Sequence, residues 1–237
     1  MKVVINQKTI KRNARIGQIT STGALVILAI GLFITFKMPD KVFYSLAALL
    51  LGFFLSQVGI YYGNRWGRRP RPDEILDRSL KGMGREYTIY HYATPVAHLL
   101  VGPAGIWALL PYYQNGRITY EKNRWRAKGG GFAQAYLRVF GQENIGRPDL
   151  EAGAEIDAAK RHLARLLPEG TRTPEVKAAL VFVHPKAELN ADETPLPAMR
   201  APDLKNFLKE QAKEKPIGSM LLDLVRNALP QAGKEEE

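Results

Sequence analysis

The chain contains no cysteine, which excludes disulfide bonds and thiolate metal sites and fits a reducing compartment. Acidic residues are nearly missing from its first third. Among residues 1–72, Asp40 stands alone against 11 lysines and arginines, so that segment carries a net +10 while residues 73–237 carry only +1. The total charge of +11 and the pI near 9.8 therefore belong to the flanks of apolar segments, and global charge gives no argument for nucleic-acid binding. No Gx4GK[ST] loop, GxSxG elbow or HExxH pair is present, so these routes to phosphate binding, serine nucleophiles and zinc have no motif behind them. The four histidines, His91, His98, His162 and His184, lack metal-ligand spacing. His91 and His98 can meet across adjacent strands as hydrogen-bonded structural partners.

Charge is also missing from two long runs. Ile16 to Phe36 and Val42 to Asn64 hold no charged residue. As a helix the first is about 31 Å long, close to the hydrocarbon thickness of a bilayer. Both are apolar on every face, so each needs protein or lipid around it. Lys37-Met38-Pro39-Asp40-Lys41 separates them, because proline breaks a helix and charge at the bilayer centre costs about 2.5–3.5 kcal/mol per residue. The reading is a transmembrane hairpin over 16–64, with spans at 16–36 and 42–63. A cleaved leader is disfavoured by the length of the first run, the lack of a small-x-small site before the turn and the second span that follows. Gly23, Gly31, Gly52 and Gly59 allow close helix approach but form no strict GxxxG pair.

Lys8, Lys11, Arg12 and Arg15 precede the first span, and Arg65, Arg68, Arg69 and Arg71 follow the second. The positive-inside rule then places the basic N-terminus (1–15), the basic linker (65–72) and everything after it in the cytoplasm of a two-span cell-membrane protein. These flanks can also touch anionic headgroups; fixing the topology alone is the simpler reading.

Residues 73–229 read as an α/β domain, followed by a disordered tail at 230–237. A short helix is expected over 73–81, strands over 87–93, 97–101 and 106–110, and a hairpin turn at Gln114-Asn115-Gly116 from which 117–121 pairs back. After the Gly129–Gly131 loop, a helix is expected over 132–140. A long amphipathic helix over 149–167 turns Ile156, Leu163, Leu166 and Leu167 to the core. A buried strand over 176–183, an edge strand over 194–199 and helices over 203–211 and 217–228 complete the domain.

This order of elements, with the segment His98-Leu99-Leu100-Val101-Gly102-Pro103-Ala104-Gly105-Ile106-Trp107-Ala108-Leu109, resembles the NERD (nuclease-related) domain family over roughly residues 73–215. The strand Val176 to Val183 and the stretch Ala201 to Lys209 resemble its closing segment. The resemblance implies a restriction-endonuclease-like fold, a mixed sheet flanked by helices. It also implies a catalytic Asp and a Glu-x-Lys, whose carboxylates hold a divalent cation beside the scissile phosphate while the lysine positions water. The matching positions here are Ala97, Leu110 and Tyr112, none of which can perform those tasks. The expected function is thus a cytoplasmic binding or scaffold module with no cofactor. In the alternative readings the domain is a tethered nuclease using Mg²⁺ on relocated acids such as Glu74, Asp77, Glu86 or Glu121, or it binds nucleic acid without cutting. For that last reading the candidate contacts are Arg117, Lys122, Arg124, Trp125, Arg126 and Lys128, since basic residues interleaved with an aromatic can hold phosphate and stack a base; a hairpin with a solvated face and Trp125 in the core is the simpler interpretation. The polar stretches Gly141–Asn144 and Arg147–Glu151 suit a loop that positions the long helix or one that recognises a ligand.

Overall fold

The computed structural model describes residues 1–128, 145–191 and 194–231. The expected glycine loop at 129–131, the helix over 132–140, the polar stretch 141–144 and the end of the tail lie outside the described residues. The described residues divide into two compact units, one built from residues 1–6 together with those from Pro72 onward, the other from Gln7–Arg71.

The second unit is a helical hairpin: α1 (Gln7–Lys37), a 3-10 turn (Pro39–Lys41), α2 (Val42–Tyr62) and a π-helical turn (Gly63–Gly67). The 31 residues of α1 reach about 46 Å, longer than a bilayer's apolar core, whereas the 21 residues of α2 reach about 32 Å. The buried positions of α1 are Ile10, Asn13, Gly17, Ala24 and Gly31, and those of α2 are Ser45, Gly52 and Gly59. Small residues therefore recur every seven positions on both helices, the repeat that keeps one seam facing a partner in a left-handed pair. A Cβ on Gly31 would lie 3.1 Å from that of Ala48, and one on Gly59 would fall on Ser21 Oγ and 2.9 Å from the Ser21 amide nitrogen. Near the turn, the Thr35 and Ser45 hydroxyls and the Gly31 carbonyl oxygen lie within mutual hydrogen-bonding reach; with one proton each, one hydroxyl donates to that carbonyl while the other donates either to it or to its neighbour's oxygen.

The large apolar side chains point the other way. Leu25, Phe33 and Phe36 on α1, and Phe43, Leu51 and Phe54 on α2, are each more than half exposed. Only 11% and 17% of the most apolar windows of the two helices are buried. A core helix of a soluble domain has the opposite arrangement, bulky side chains inward and polar ones outward.

The first unit begins with a strand absent from the sequence reading, β1 (Lys2–Ile5), which pairs in parallel with β2 (Thr88–His91). The N-terminal ammonium donates to the Met83 carbonyl at 2.9 Å, and the amides of Lys2 and Asn6 donate to the carbonyls of Tyr87 and His91 at 2.8 and 3.0 Å. The hairpin is thus an insertion into this domain, entered after β1 and left before α3 (Pro72–Ser79).

Strands β2, β3 (His98–Gly102) and β4 (Gly105–Tyr112) form an antiparallel meander. β7 (Val176–Phe182) runs parallel to β4, and β9 (Ala198–Arg200) runs parallel to β7 at the edge. The mixed six-stranded order is β1-β2-β3-β4-β7-β9. Alternation along the strands splits the core. Tyr90, Leu99, Val101, Ala108 and Leu180 face α4 (Pro148–Leu166) and α6 (Ser219–Ala228). Ile89, Leu100, Trp107, Leu109 and Val181 face α3 and α5 (Leu204–Glu214). On α4 the buried positions include Ala152, Ala159 and Leu163, so small side chains bring that helix close to the sheet. Leu166, expected to face the core, is instead 40% exposed at the last residue of the helix, while Leu163 and Leu167 are buried.

The Gly-Pro-x-Gly turn has a structural cause. Gly102 pairs with Gly105 across the two-residue turn Pro103-Ala104; a Cβ on Gly102 would enter the Tyr87 ring, and Gly105 sits at φ +105°, where side chains are strained.

The expected pairing of 117–121 back onto the meander is overturned. β5 (Gly116–Glu121) pairs with β6 (Arg124–Lys128) and, in parallel, with β8 (Ala187–Asn190), making a separate sheet of order β6-β5-β8. The tight turn is Lys122-Asn123, with φ of 51° and 57°, the left-handed pair that a two-residue hairpin needs.

Candidate functional site

Polar chemistry in the α/β unit gathers in three places. The most buried is a chain of rings at the end of β2. The β2–β3 register sets His91 directly opposite His98, and the Nδ1 atoms of the two rings lie 2.8 Å apart. Asp77, on α3, reaches His91 Nε2 at 3.2 Å. With Asp77 ionised, His91 carries its proton on Nε2, its Nδ1 is the acceptor, and His98 donates from Nδ1. Both rings are almost fully buried, while the Asp77 side chain is 33% exposed. The Tyr92 ring lies 5.0 Å from that of His98, and its backbone holds φ at 56°, a costly conformation for a bulky residue. The Asn6 amide that ends β1 bonds to the His91 carbonyl, and α3, which carries Asp77, starts where the chain returns from the hairpin.

The second place is the end of β4. Leu110 is part of the apolar core. Two residues on, Tyr112 donates its hydroxyl proton to Glu151 Oε2 on α4. Burial is the main reason the Tyr112 phenol is pushed far above its ordinary value; the hydrogen bond to Glu151 and the charges of Glu151, Asp149 and Glu155 add to the effect. Tyr90 is pushed up to about 12 by burial, against the opposing charge of Arg226. On α4, burial and the neighbouring Arg165 lower the pKa of His162. Ala97 lies in the β2–β3 connection, where its carbonyl accepts the Tyr92 amide. Glu74 and Asp77 are on α3, Glu86 precedes β2 and Glu121 is on the small sheet. Among the described residues, no group of three or more His, Cys, Asp or Glu side chains is placed to hold a metal ion.

The third place is the outer face of the small sheet. The β5–β6 rungs are Arg117–Lys128, Thr119–Arg126 and Glu121–Arg124 on one face, and Ile118–Ala127 and Tyr120–Trp125 on the other. Directly opposed residues share a face, so Arg117, Arg124, Arg126 and Lys128 stand together, all exposed. Glu188 and Asn190 of β8 join them; with the Asn190 side-chain amide turned to satisfy its neighbours, its oxygen accepts from Arg117 Nε at 2.9 Å. Lys122 is in the turn. Trp125 points inward and is 8% exposed, its ring 5.2 Å from Tyr120 and 5.8 Å from Phe182. The structure thus brings together the basic residues singled out in the sequence and separates the tryptophan from them.

In the hairpin unit, Lys11, Arg12 and Arg15 occupy the first turns of α1. Arg65 lies in the π-helical turn, its guanidinium 5.2 Å from the centre of the Trp66 ring. Arg68, Arg69 and Arg71 lie in the connector that follows. The imidazole pair was legible as a cross-strand approach. The Tyr112–Glu151 bond was not, because it joins residues 39 apart with no spacing motif.

Comparison of the chain with protein-family models, with curated proteins and with solved structures finds no match.

Proposed function

We propose that this chain is an integral membrane protein whose helices α1 and α2 cross the bilayer as a hairpin and hold a NERD-like domain on the cytoplasmic side, where it serves as a binding or scaffold module without nuclease activity. The observation that carries this reading is the inside-out hairpin. Glycine, alanine and serine fill its seam, and leucine and phenylalanine cover its outside. Packing through small residues is how helices associate where the surrounding solvent is as apolar as their own side chains.

The β1–β2 pairing supports the topology. Residues on both sides of the insertion lie in one sheet, so the insertion must cross a bilayer an even number of times, and two helices of this length do so. The basic residues in the first turns of α1 and after α2 favour the cytoplasm for the domain. The order α3, meander, hairpin, α4 and parallel β7 supports the likeness to NERD and restriction-endonuclease-like folds.

The three positions that the likeness would make catalytic speak against cleavage. Ala97 and Leu110 carry no ligating group, and Tyr112 is a neutral phenol bonded to Glu151, where the chemistry needs a cation beside the phosphate. Full-length protein in detergent, incubated with Mg²⁺ or Mn²⁺ and single- or double-stranded DNA or RNA, is expected to leave each substrate intact. Metal-dependent cutting that vanishes in Glu121→Ala or Glu86→Ala would establish the tethered-nuclease reading instead.

A further inference from the structure

We propose that the outer face of the three-stranded sheet β6-β5-β8 is a docking surface for anionic lipid headgroups, so that Arg117, Arg124, Arg126 and Lys128 rest on the phosphates of the leaflet. The inference builds on the membrane-anchored reading given above.

Arg117 and Lys128 occupy one rung, and like charges directly opposed destabilise a sheet. An anion between them turns that repulsion into attraction. With the Asn190 side-chain amide turned so that its oxygen faces Arg117, that oxygen accepts from Arg117 Nε at 2.9 Å and helps to hold the guanidinium in place. Arg126 and Arg124 continue the row along the edge strand. Arg124, Arg126 and Lys128 have no ion pair with any described residue; they are available for phosphate.

The same face argues against single-stranded nucleic acid. Such binding relies on aromatic rings beneath the bases, and here both rings of the hairpin, Tyr120 and Trp125, lie on the opposite face of the strands. The outward side offers guanidinium and ammonium groups, with Glu121 and Glu188 among them. It can contact phosphate but offers no aromatic ring for base stacking. A bilayer supplies phosphate without bases, and a domain tethered to it meets headgroups at high effective concentration.

The test uses the full-length chain, which has no native cysteine, with Glu188→Cys carrying a spin label. The protein is placed in nanodiscs of phosphatidylcholine alone or of phosphatidylcholine with about one third phosphatidylglycerol. Collisions with a water-soluble nickel chelate are expected to be about threefold rarer in the anionic discs. The difference is expected to vanish in Arg124→Glu/Arg126→Glu, and also in salt of about 1 M, where screening shortens to about 3 Å. Unchanged tryptophan fluorescence in the variant shows that the fold survives the substitutions. Equal accessibility in the two kinds of disc overturns the proposal. So does protection by added DNA or RNA oligonucleotide in neutral discs without any response to lipid charge, which would make nucleic acid the partner. Failure of the protein to stay with neutral discs overturns the anchored reading and this inference with it; retention without a response to lipid charge overturns this inference alone.

Discussion

Removal of residues 1–6, with the chain restarted by a methionine before Gln7, is expected to cost the α/β domain about 3–5 kcal/mol. The lost interactions come from both sides of the sheet. Four rungs of parallel pairing with β2 disappear, as do the bonds from the N-terminal ammonium, Lys2 and Asn6 to Met83, Tyr87 and His91. Val4 no longer packs on one half of the core, nor Met1 on the other. β2 becomes an edge, with the His91 carbonyl deprived of its donor beside the buried imidazole pair. Urea unfolding in detergent, followed by tryptophan fluorescence, measures the effect as a lower midpoint. An unchanged midpoint would mean that β1 contributes nothing and that the first helix could begin anywhere relative to the domain.

Gly59→Leu is expected to push α1 and α2 apart by about 2 Å, from the close end towards the wide end of ordinary helix spacings of 8–10 Å. The reason is steric. A Cβ at this position already reaches Ser21 Oγ and lies 2.9 Å and 3.0 Å from the Ser21 amide nitrogen and Cα. Backbone atoms cannot swing aside as a flexible side chain can, so the helices must separate, at a cost of about 1–3 kcal/mol. Spin labels at Ile19 and Tyr61, both facing outward, report the spacing directly. Gly63→Ala is the control, because a Cβ there has nothing within 4 Å; its distance distribution is expected to match that of the parent. If Gly59→Leu left the spacing unchanged, the seven-residue seam of small side chains would not be what sets it.

How much of this was legible depends on the length scale of each signal. The two helices were plain from their charge-free runs, since more than twenty residues without a charge is a long-range pattern. Their seam was not, because a four-residue glycine spacing is the familiar sign, while Gly17, Ala24 and Gly31, like Ser45, Gly52 and Gly59, recur at seven. The strands β3, β4 and β7, each buried almost throughout, announced themselves by composition. Two of the four-residue strands, β1 and β8, did not. Lys2–Ile5 precedes a basic helix and reads as part of a basic terminus, and Ala187–Asn190 has only one strongly apolar side chain.

The misplaced hairpin has a comparable cause. Gln114-Asn115-Gly116 carries the glycine of a tight turn, whereas the turn actually used, Lys122-Asn123, takes left-handed backbone without one. At the candidate site, alternation along Arg124, Trp125, Arg126 and Lys128 was enough to separate cations from the tryptophan once the segment was known to be a strand. The partner of Tyr112 came from packing of α4 on the sheet, which no local pattern encodes.

The central claim, that two helices cross the bilayer and return the chain to the side from which it left, is tested most directly by thiol labelling in intact cells. The chain has no cysteine of its own, so a single Pro39→Cys in the turn and a single Ser219→Cys at the start of α6 each give one reactive group. The account predicts that a membrane-impermeant maleimide labels the turn from outside and leaves Ser219→Cys unlabelled until the cells are opened. Labelling of both from outside, or of neither until lysis, would contradict it.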